Sequence, residues 1–253
     1  MSVKIKNEQA IEKMRVAGKL LAAIFEDIQL RVKEGISTAE LDAFIEKELE
    51  KKQFVSQSKG YHGYRHVSCI SVNDVVVHGV PADQVILQQG DVVSVDVCAA
   101  WQGYCADMAR CYIIGEKGNE QKEHLVSVAQ QALDKGIQQA VVGKRVFDIS
   151  AAIQQYVEKH NYGIVRDFAG HGIGKKMHEE PDVPNYGVPG TGMRLKAGMV
   201  FAIEPMITKG SYEIDIDRDG WTARTKDRSL AAHVEDTVLI TDQGPEILTR
   251  PSK

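Results

Sequence analysis

At 253 residues, with 43% hydrophobic and 26% charged content, the chain can bury one substantial core, either as one large domain or as two tightly joined halves. A formal charge of -4, with no basic block beyond Lys175-Lys176 and scattered pairs, argues against a dedicated nucleic-acid or membrane-surface binder, though not against a transient ribosome contact. No apolar run approaches the roughly 18 residues needed to span a bilayer, and the start, Met-Ser-Val-Lys-Ile-Lys, has no signal-peptide core, so a cytoplasmic location is expected.

In chain order, Leu20, Leu21, Ile24 and Ile28 recur at three- and four-residue steps and predict a helix over about 8 to 33. A second helix is expected after Ser37 or Thr38, either of which can cap it, with Leu41, Ile45 and Leu49 as its buried stripe. β-Branched stretches follow at 68 to 80, 91 to 101 and 104 to 114. Trp101-Gln102-Gly103 supplies a turn that puts Asp96 and Asp107 on opposite arms of one hairpin. Period-two alternation sets Ser94, Asp96 and Cys98 on one face and Val93, Val95 and Val97 on the other. Two more helices are predicted over about 119 to 141, slightly weakened by Gly136, and about 147 to 160. Strands at 199 to 209 and 232 to 241 close the pattern as an equivalent hairpin carrying Glu204 and Glu235. That hairpin is 20 residues longer, and the excess includes the charged segment from Tyr212 to Arg228. No linker or appended domain is evident, so residues 1–253 are expected to form one compact unit.

The plan of helices followed by antiparallel strands occurs twice, and the repetition extends to individual residues. Asp96 and Glu204 lie 108 positions apart, and the same offset sets Gly90 on Gly198, Leu41 on Ile149, Ile45 on Ile153, Leu49 on Val157 and Gly35 on Gly143. We read an internal duplication, about 15–114 and 123–241, in which each half presents an acid from an equivalent strand toward one cleft.

Asp96, Glu204 and Glu235 all sit inside runs that are otherwise apolar. An unpaired buried carboxylate costs several kcal/mol, roughly, so each needs compensation. With Asp107, four carboxylates sharing one cleft repel one another, and two divalent cations would neutralise them. Two such ions also do chemistry, polarising a carbonyl or phosphoryl oxygen and activating water. His171, between Gly170 and Gly172, is the candidate nitrogen ligand, its glycine neighbours allowing the close backbone approach of a ligand loop. Mixed oxygen and imidazole ligation suits Mn, Fe, Co or Zn. The plainer alternative, in which each acid simply pairs with Arg or Lys, explains one such residue more easily than a duplicated pair.

Asn-Asp-Val-Val-Val-His78-Gly-Val-Pro, Asp96 with Asp107, Gly-His171-Gly-Ile-Gly, His178-Glu-Glu-Pro, Ala-Ile-Glu204-Pro-Met and Lys-Asp-Arg-Ser-Leu followed by Glu235 together resemble the type I methionine aminopeptidases of bacteria. The resemblance runs through essentially the whole chain. It implies an α+β pita-bread fold, with pseudo-twofold halves and an antiparallel sheet backed by two helix pairs. It also implies two divalent ions (Co, Mn, Fe(II) or Zn) on Asp96, Asp107, His171, Glu204 and Glu235, with Asp107 and Glu235 shared between them. Glu204 would manage the proton of the attacking water, His178 would stabilise the developing oxyanion, and His78 would contact the substrate backbone near the departing amine. Tyr61, Tyr64, Cys69, Met177 and Trp221 match positions that wall the methionine pocket. The implied substrates are nascent polypeptides that begin with methionine followed by a small residue, processed by a monomer.

Some positions depart from the family pattern: Met177 where phenylalanine is common, Arg65 where a proline follows the tyrosine, Met108-Ala109 after Asp107, Val77 beside His78, and His233 where glutamine is frequent. None removes an expected ligand. Two rivals remain: an aminopeptidase of the same fold that cleaves before proline, whose usual extra N-terminal domain is not expected in a chain with fewer than 100 residues before Asp96, and a non-catalytic binding protein on the same scaffold. The lack of a large insertion between His171 and Glu204 favours type I over type II.

Other motifs carry less. The four cysteines, at 69, 98, 105 and 111, have no C-x-x-C spacing, so free thiols are expected rather than a zinc site or a disulfide. Asp215-x-Asp217-x-Asp219-Gly220 opens like a calcium loop, but Lys226 stands where a bidentate Glu is required. A charged hairpin excursion is expected there. The glycines before Lys175 lack the spacing of a phosphate cradle, and His178-Glu-Glu-Pro cannot form a zinc-binding helix through Pro181.

Overall fold

A computed structural model describes residues 3–115 and 118–250. Its elements are α1 (Glu8–Arg31), α2 (Thr38–Lys51), β1 (Val55–Ser56), β2 (Cys69–Val72), β3 (Val75–Val77), β4 (Val92–Trp101), β5 (Tyr104–Ile113), α3 (Glu120–Ile137) and α4 (Val146–Lys159). They continue with β6 (Gly163–Ile164), β7 (Ala169–Gly172), β8 (Glu179–Pro184), β9 (Val200–Ile203) and β10 (Met206–Thr208). The chain ends with β11 (Ile214–Ile216), β12 (Ala223–Thr225), β13 (Ala231–His233), β14 (Glu235–Thr241) and β15 (Gly244–Ile247).

Each helix starts where the side chains can satisfy the free amides of its first turn. Asn7 caps α1 through a 2.9 Å bond from Ala10 N, and Ser37 and Glu40 form a reciprocal capping box on α2. Asp148 reaches back to Arg145 N at 2.7 Å to do part of the same work for α4. The helices then bury one face each. Leu21, Ile24, Ile28, Leu41 and Ile45 pack with Val93, Val95 and Val97 of β4, while Leu125, Leu133, Ile149 and Ile153 pack with Phe201, Ile203 and Val238. α3 stops at Ile137, short of the expected 141. Gly136 strengthens this part of the fold, because a Cβ there would meet Ile153 Cγ1 at 2.7 Å and hold α3 away from α4.

A nine-stranded sheet, in the order β1-β4-β5-β14-β9-β7-β8 with β2 beside β4 and β15 beside β14, lies against both helix pairs. All its pairings are antiparallel. β4 and β5 join through Gln102 and Gly103, both at positive φ (47° and 78°), the backbone a two-residue hairpin turn of type I′ requires.

The two halves superpose in chain register. α2 and α4 each span 14 residues. They begin 108 positions apart, at Thr38 and Val146, as β1 and β6 do at Val55 and Gly163, and β4 and β9 at Val92 and Val200. The isolated bridges Ser37–Ile86 and Arg145–Arg194 repeat at that spacing, and so do the left-handed residues Gln53 (φ 61°) and Asn161 (φ 59°) just after α2 and α4. This is the duplicated α+β architecture expected from the sequence.

Two details differ from expectation. The run 68 to 80 divides into β2 and β3 at Asn73, whose φ is 56°. In the second hairpin, Glu204 and Pro205 interrupt the strand, since Pro205 has no N–H to donate, and the ladder resumes in unchanged register, Ile203 opposite Asp236 and Met206 opposite His233. The expected charged hairpin excursion is present as β11–β12, laid against β3, with Arg224 bonded to Asp217 (2.6 Å) and Asp74 (2.9 Å).

Candidate metal centre and active site

Asp96 and Asp107 project from the middle of the β4–β5 hairpin, where Cys98 is the cross-strand partner of Asp107 and Cys69 of β2 that of Asp96. Glu235 opens β14, two strands away from Asp96, and Glu204 follows the last residue of β9. His171 lies on β7, so the expected ligand loop is a strand. Its glycine neighbours have a packing cause: a Cβ on Gly170 would lie 2.4 Å from Ala202 O, and one on Gly172 2.3 Å from Glu180 O. Five side chains separated by up to 139 residues in sequence therefore line one cavity.

The backbone under these groups is tied down. Asp107 exchanges two hydrogen bonds with Thr237, its N–H donating to Oγ1 at 2.9 Å and its carbonyl accepting from Oγ1 at 2.8 Å. Arg110 donates to Glu235 O (2.6 Å) and Asp236 Oδ1 (2.7 Å), and Arg250 donates to the other oxygen of Asp236. This ion cluster fixes the start of β14 from behind, away from the cavity carboxylates. Asn185 donates to Glu204 O at 2.9 Å.

The cavity carboxylates have no Lys or Arg partner among the described residues. His171 Nε2 lies 3.4 Å from Glu204 Oε1 and 3.9 Å from Asp107 Oδ2, and His233 Nε2 lies 3.7 Å from Glu204 Oε2. Asp107 Oδ1, Glu235 Oε1 and His233 Nε2 are buried without a hydrogen-bond partner. Burial, reinforced by mutual repulsion, pushes Asp96, Glu204 and Glu235 well above the ordinary carboxylate range, and burial lifts Asp107 to about 6. Burial also lowers His171 to about 4 and His233 to about 3, so both imidazoles are neutral at pH 7 and have a lone pair to offer. Asp107, His171 and Glu235 can bring ligand atoms within 4.8 Å of one another, and so can Glu204, His233 and Glu235. An oxygen-rich set with neutral nitrogens and orphaned lone pairs fits divalent cations.

The cavity, of about 140 Å³, is also lined by Tyr61, Tyr64, Cys69, His78, Met177, His178 and Trp221. All twelve residues expected from the sequence thus border it. Tyr61 and Tyr64 lie on the segment after β1, which Asp42 of α2 pins by accepting from Val67 N, Ser68 N and Ser68 Oγ at 3.1, 3.0 and 2.7 Å. The Tyr64 ring packs edgewise on Trp221 at 5.0 Å between centroids. Tyr61 Oη lies 3.2 Å from His178 Nδ1, and the His178 ring stands perpendicular to that of His171 at 4.4 Å. His78 occupies a left-handed backbone conformation (φ 57°) unusual for a residue with a Cβ, a strain typical of functional positions. Its ring packs edgewise on Phe168 at 5.0 Å, and burial lowers it to about 4. Ser58 and Cys98 also border the cavity. Sequence reasoning had set Cys98 on the Asp96 face but gave it no role, and nothing in the chain marks Ser58 or Asn185. The departures Arg65, exposed, and Val77, in the core, lie outside the cavity lining.

A duplicated sheet with buried carboxylates that lack Lys or Arg partners at its centre defines a candidate metal-binding scaffold. The sequence matches metallopeptidase family M24 over residues 12–242. It is 47% identical to a methionine aminopeptidase of Clostridium acetobutylicum, over 97% of this chain and 98% of that one, and 44% identical to one of Escherichia coli, over 98% and 94%. The crystal structure of a methionine aminopeptidase from Thermotoga maritima superposes with a TM-score of 0.96 at 41% identity, covering 99% of this chain and all of that one. The chain belongs to metallopeptidase family M24 and, within it, to the methionine aminopeptidases, with the pita-bread fold of that family.

Proposed function

We propose that the protein is a dimetal aminopeptidase that hydrolyses the first peptide bond of chains beginning with methionine, with preference for a small second residue. The observation that carries the reading is the set of buried carboxylates without a Lys or Arg partner at the floor of a small cavity. Asp96, Asp107, His171, Glu204 and Glu235 are the residues that would hold two divalent ions. Bound there, such ions polarise the scissile carbonyl and make water acidic enough to attack at neutral pH.

The protein's own groups supply the rest. Glu204, at the cavity between His171 and His233, takes the proton from the attacking water and passes it to the departing amine as the C–N bond breaks. A Tyr61 hydroxyl that donates to His178 Nδ1, 3.2 Å away, would leave the ring proton on Nε2, where it can stabilise the oxyanion that forms on the carbonyl. His78, neutral through burial, contacts the substrate backbone near the new amine. Tyr61, Tyr64, Cys69, Met177 and Trp221 surround the methionine side chain with polarisable, mostly apolar surface. Removal of a single residue follows from a cavity floor closed by the metal ligands.

The preference for a small second residue is drawn from the likeness to methionine aminopeptidases, as is action on nascent chains. We place the protein in the cytoplasm as a monomer in transient contact with ribosomes, using Co, Mn, Fe(II) or Zn. No helix among the described residues is long and apolar enough to cross a membrane. Free methionine released from Met-Ala-Ser, with little from Met-Lys-Ser, is the expected result in a chromatographic assay. Equal release from both peptides would refute the second-residue preference.

A further inference from the structure

We propose that His233 is a sixth protein ligand of the metal centre, its Nε2 binding the divalent ion held by Glu204 and Glu235. The inference rests on the dimetal reading above and adds a residue outside the expected ligand set.

Three observations lead to it. First, the imidazole is 2% exposed and its Nε2 has no hydrogen-bond partner among the described residues, a costly state for a buried polar atom unless a ligand completes it. Second, that nitrogen lies 3.7 Å from Glu204 Oε2, beyond hydrogen-bond reach, and can lie within 4.8 Å of carboxylate oxygens of both Glu204 and Glu235. Ligand atoms sharing one such ion at about 2.1 Å each are roughly 3 to 4 Å apart, so a contraction of about 1 Å completes the site.

Third, the duplication assigns the position. Asp107 pairs across the first hairpin with Cys98, and His233 pairs across the second with Met206. Cys98 and Met206 are themselves 108 positions apart, the offset that relates Asp96 to Glu204. His233 is therefore the counterpart of Asp107, and each half sets two equivalent groups on paired strands: Asp96 with Asp107, and Glu204 with His233, whose Nε2 lies 3.7 Å from Glu204 Oε2. Glu235, two residues further along the same strand face, stands where the first half has Ala109. The backbone of His233 is fixed for this role by the bond from its N–H to Ser94 Oγ at 3.0 Å, two residues before Asp96.

The consequence is a centre with two imidazoles in place of one. Nitrogen ligation favours ions later in the divalent series, Fe, Co and Zn, over Mn. The test is X-ray absorption at the cobalt edge on the full-length protein loaded with two equivalents of Co(II), where scattering from imidazole rings counts histidine ligands. Wild-type protein should show about one imidazole per ion, and the H233Q variant half as many, with at least a tenfold loss of affinity for the more weakly held ion. An unchanged imidazole count in H233Q overturns the proposal and leaves the dimetal reading standing. If H233Q does not fold, half an imidazole per ion in the wild type overturns it equally. Failure of the wild type to retain any Co(II) would instead remove the dimetal reading itself, and this inference with it.

Discussion

Glu204 combines two demands in one side chain: it faces His171 at 3.4 Å with one oxygen and His233 at 3.7 Å with the other, and it sits just where the strand is interrupted. Replacing it with Gln keeps the shape and removes the base. The expected outcome for E204Q is an unchanged far-UV circular dichroism spectrum with kcat lower by about 10³-fold, within the range for a lost proton-transfer group. Turnover within tenfold of wild type would refute its role. At this scale, the sequence pointed to the acids because a carboxylate inside an apolar run must be compensated. It did not point to His233, because a lone histidine between Ala232 and Val234 looks like any hydrogen-bonded core residue until its empty Nε2 is seen.

Among the elements, β7 shows how much the centre depends on close backbone packing. His171 reaches the cavity because Gly170 and Gly172 let β8 and β9 approach their strand. Gly172→Ala puts a methyl group 2.3 Å from Glu180 O, so a backbone must move. Overpacking of this kind costs about 2 to 3 kcal/mol, and the melting temperature should fall by roughly 4 to 12 °C. An unaltered melting temperature with unaltered metal affinity would show that the glycine is incidental. The helix pairs were legible from apolar spacing and caps, and α2 and α4 start where Ser37 and the 108-residue repeat suggest. The interruption at Pro205, the pairing of β12 with β3, and the Arg110–Asp236–Arg250 cluster behind Glu235 were not legible, since each depends on which distant strands become neighbours.

For the whole molecule, the duplication brings four carboxylates from two halves to one seam, and folding alone leaves them uncompensated. Stripping divalent ions with a chelator should therefore lower the melting temperature, and reloading should restore it in proportion to ion concentration. The effect has a defined pH sense. Burial raises Asp107 to about 6 and holds Asp96, Glu204 and Glu235 well above the ordinary carboxylate range, so the metal-free folded protein holds protons that the unfolded chain releases near pH 4. Their contribution to metal-free stability is present below the unfolded value and is lost as the pH rises through the folded values. An arriving ion must displace those protons, so metal-induced stabilisation should shrink as the pH falls from 8 to about 5.5. A pH-independent thermal shift would contradict the placement of the ions among these groups.

The most direct measurement is release of free methionine from Met-Ala-Ser by metal-stripped protein, before and after resupply of Mn, Fe(II) or Co. No release before resupply and rapid release with at least one ion is the expected result. Absence of release with every ion, from folded protein that demonstrably binds two, would contradict the assignment of this centre to removal of an N-terminal methionine.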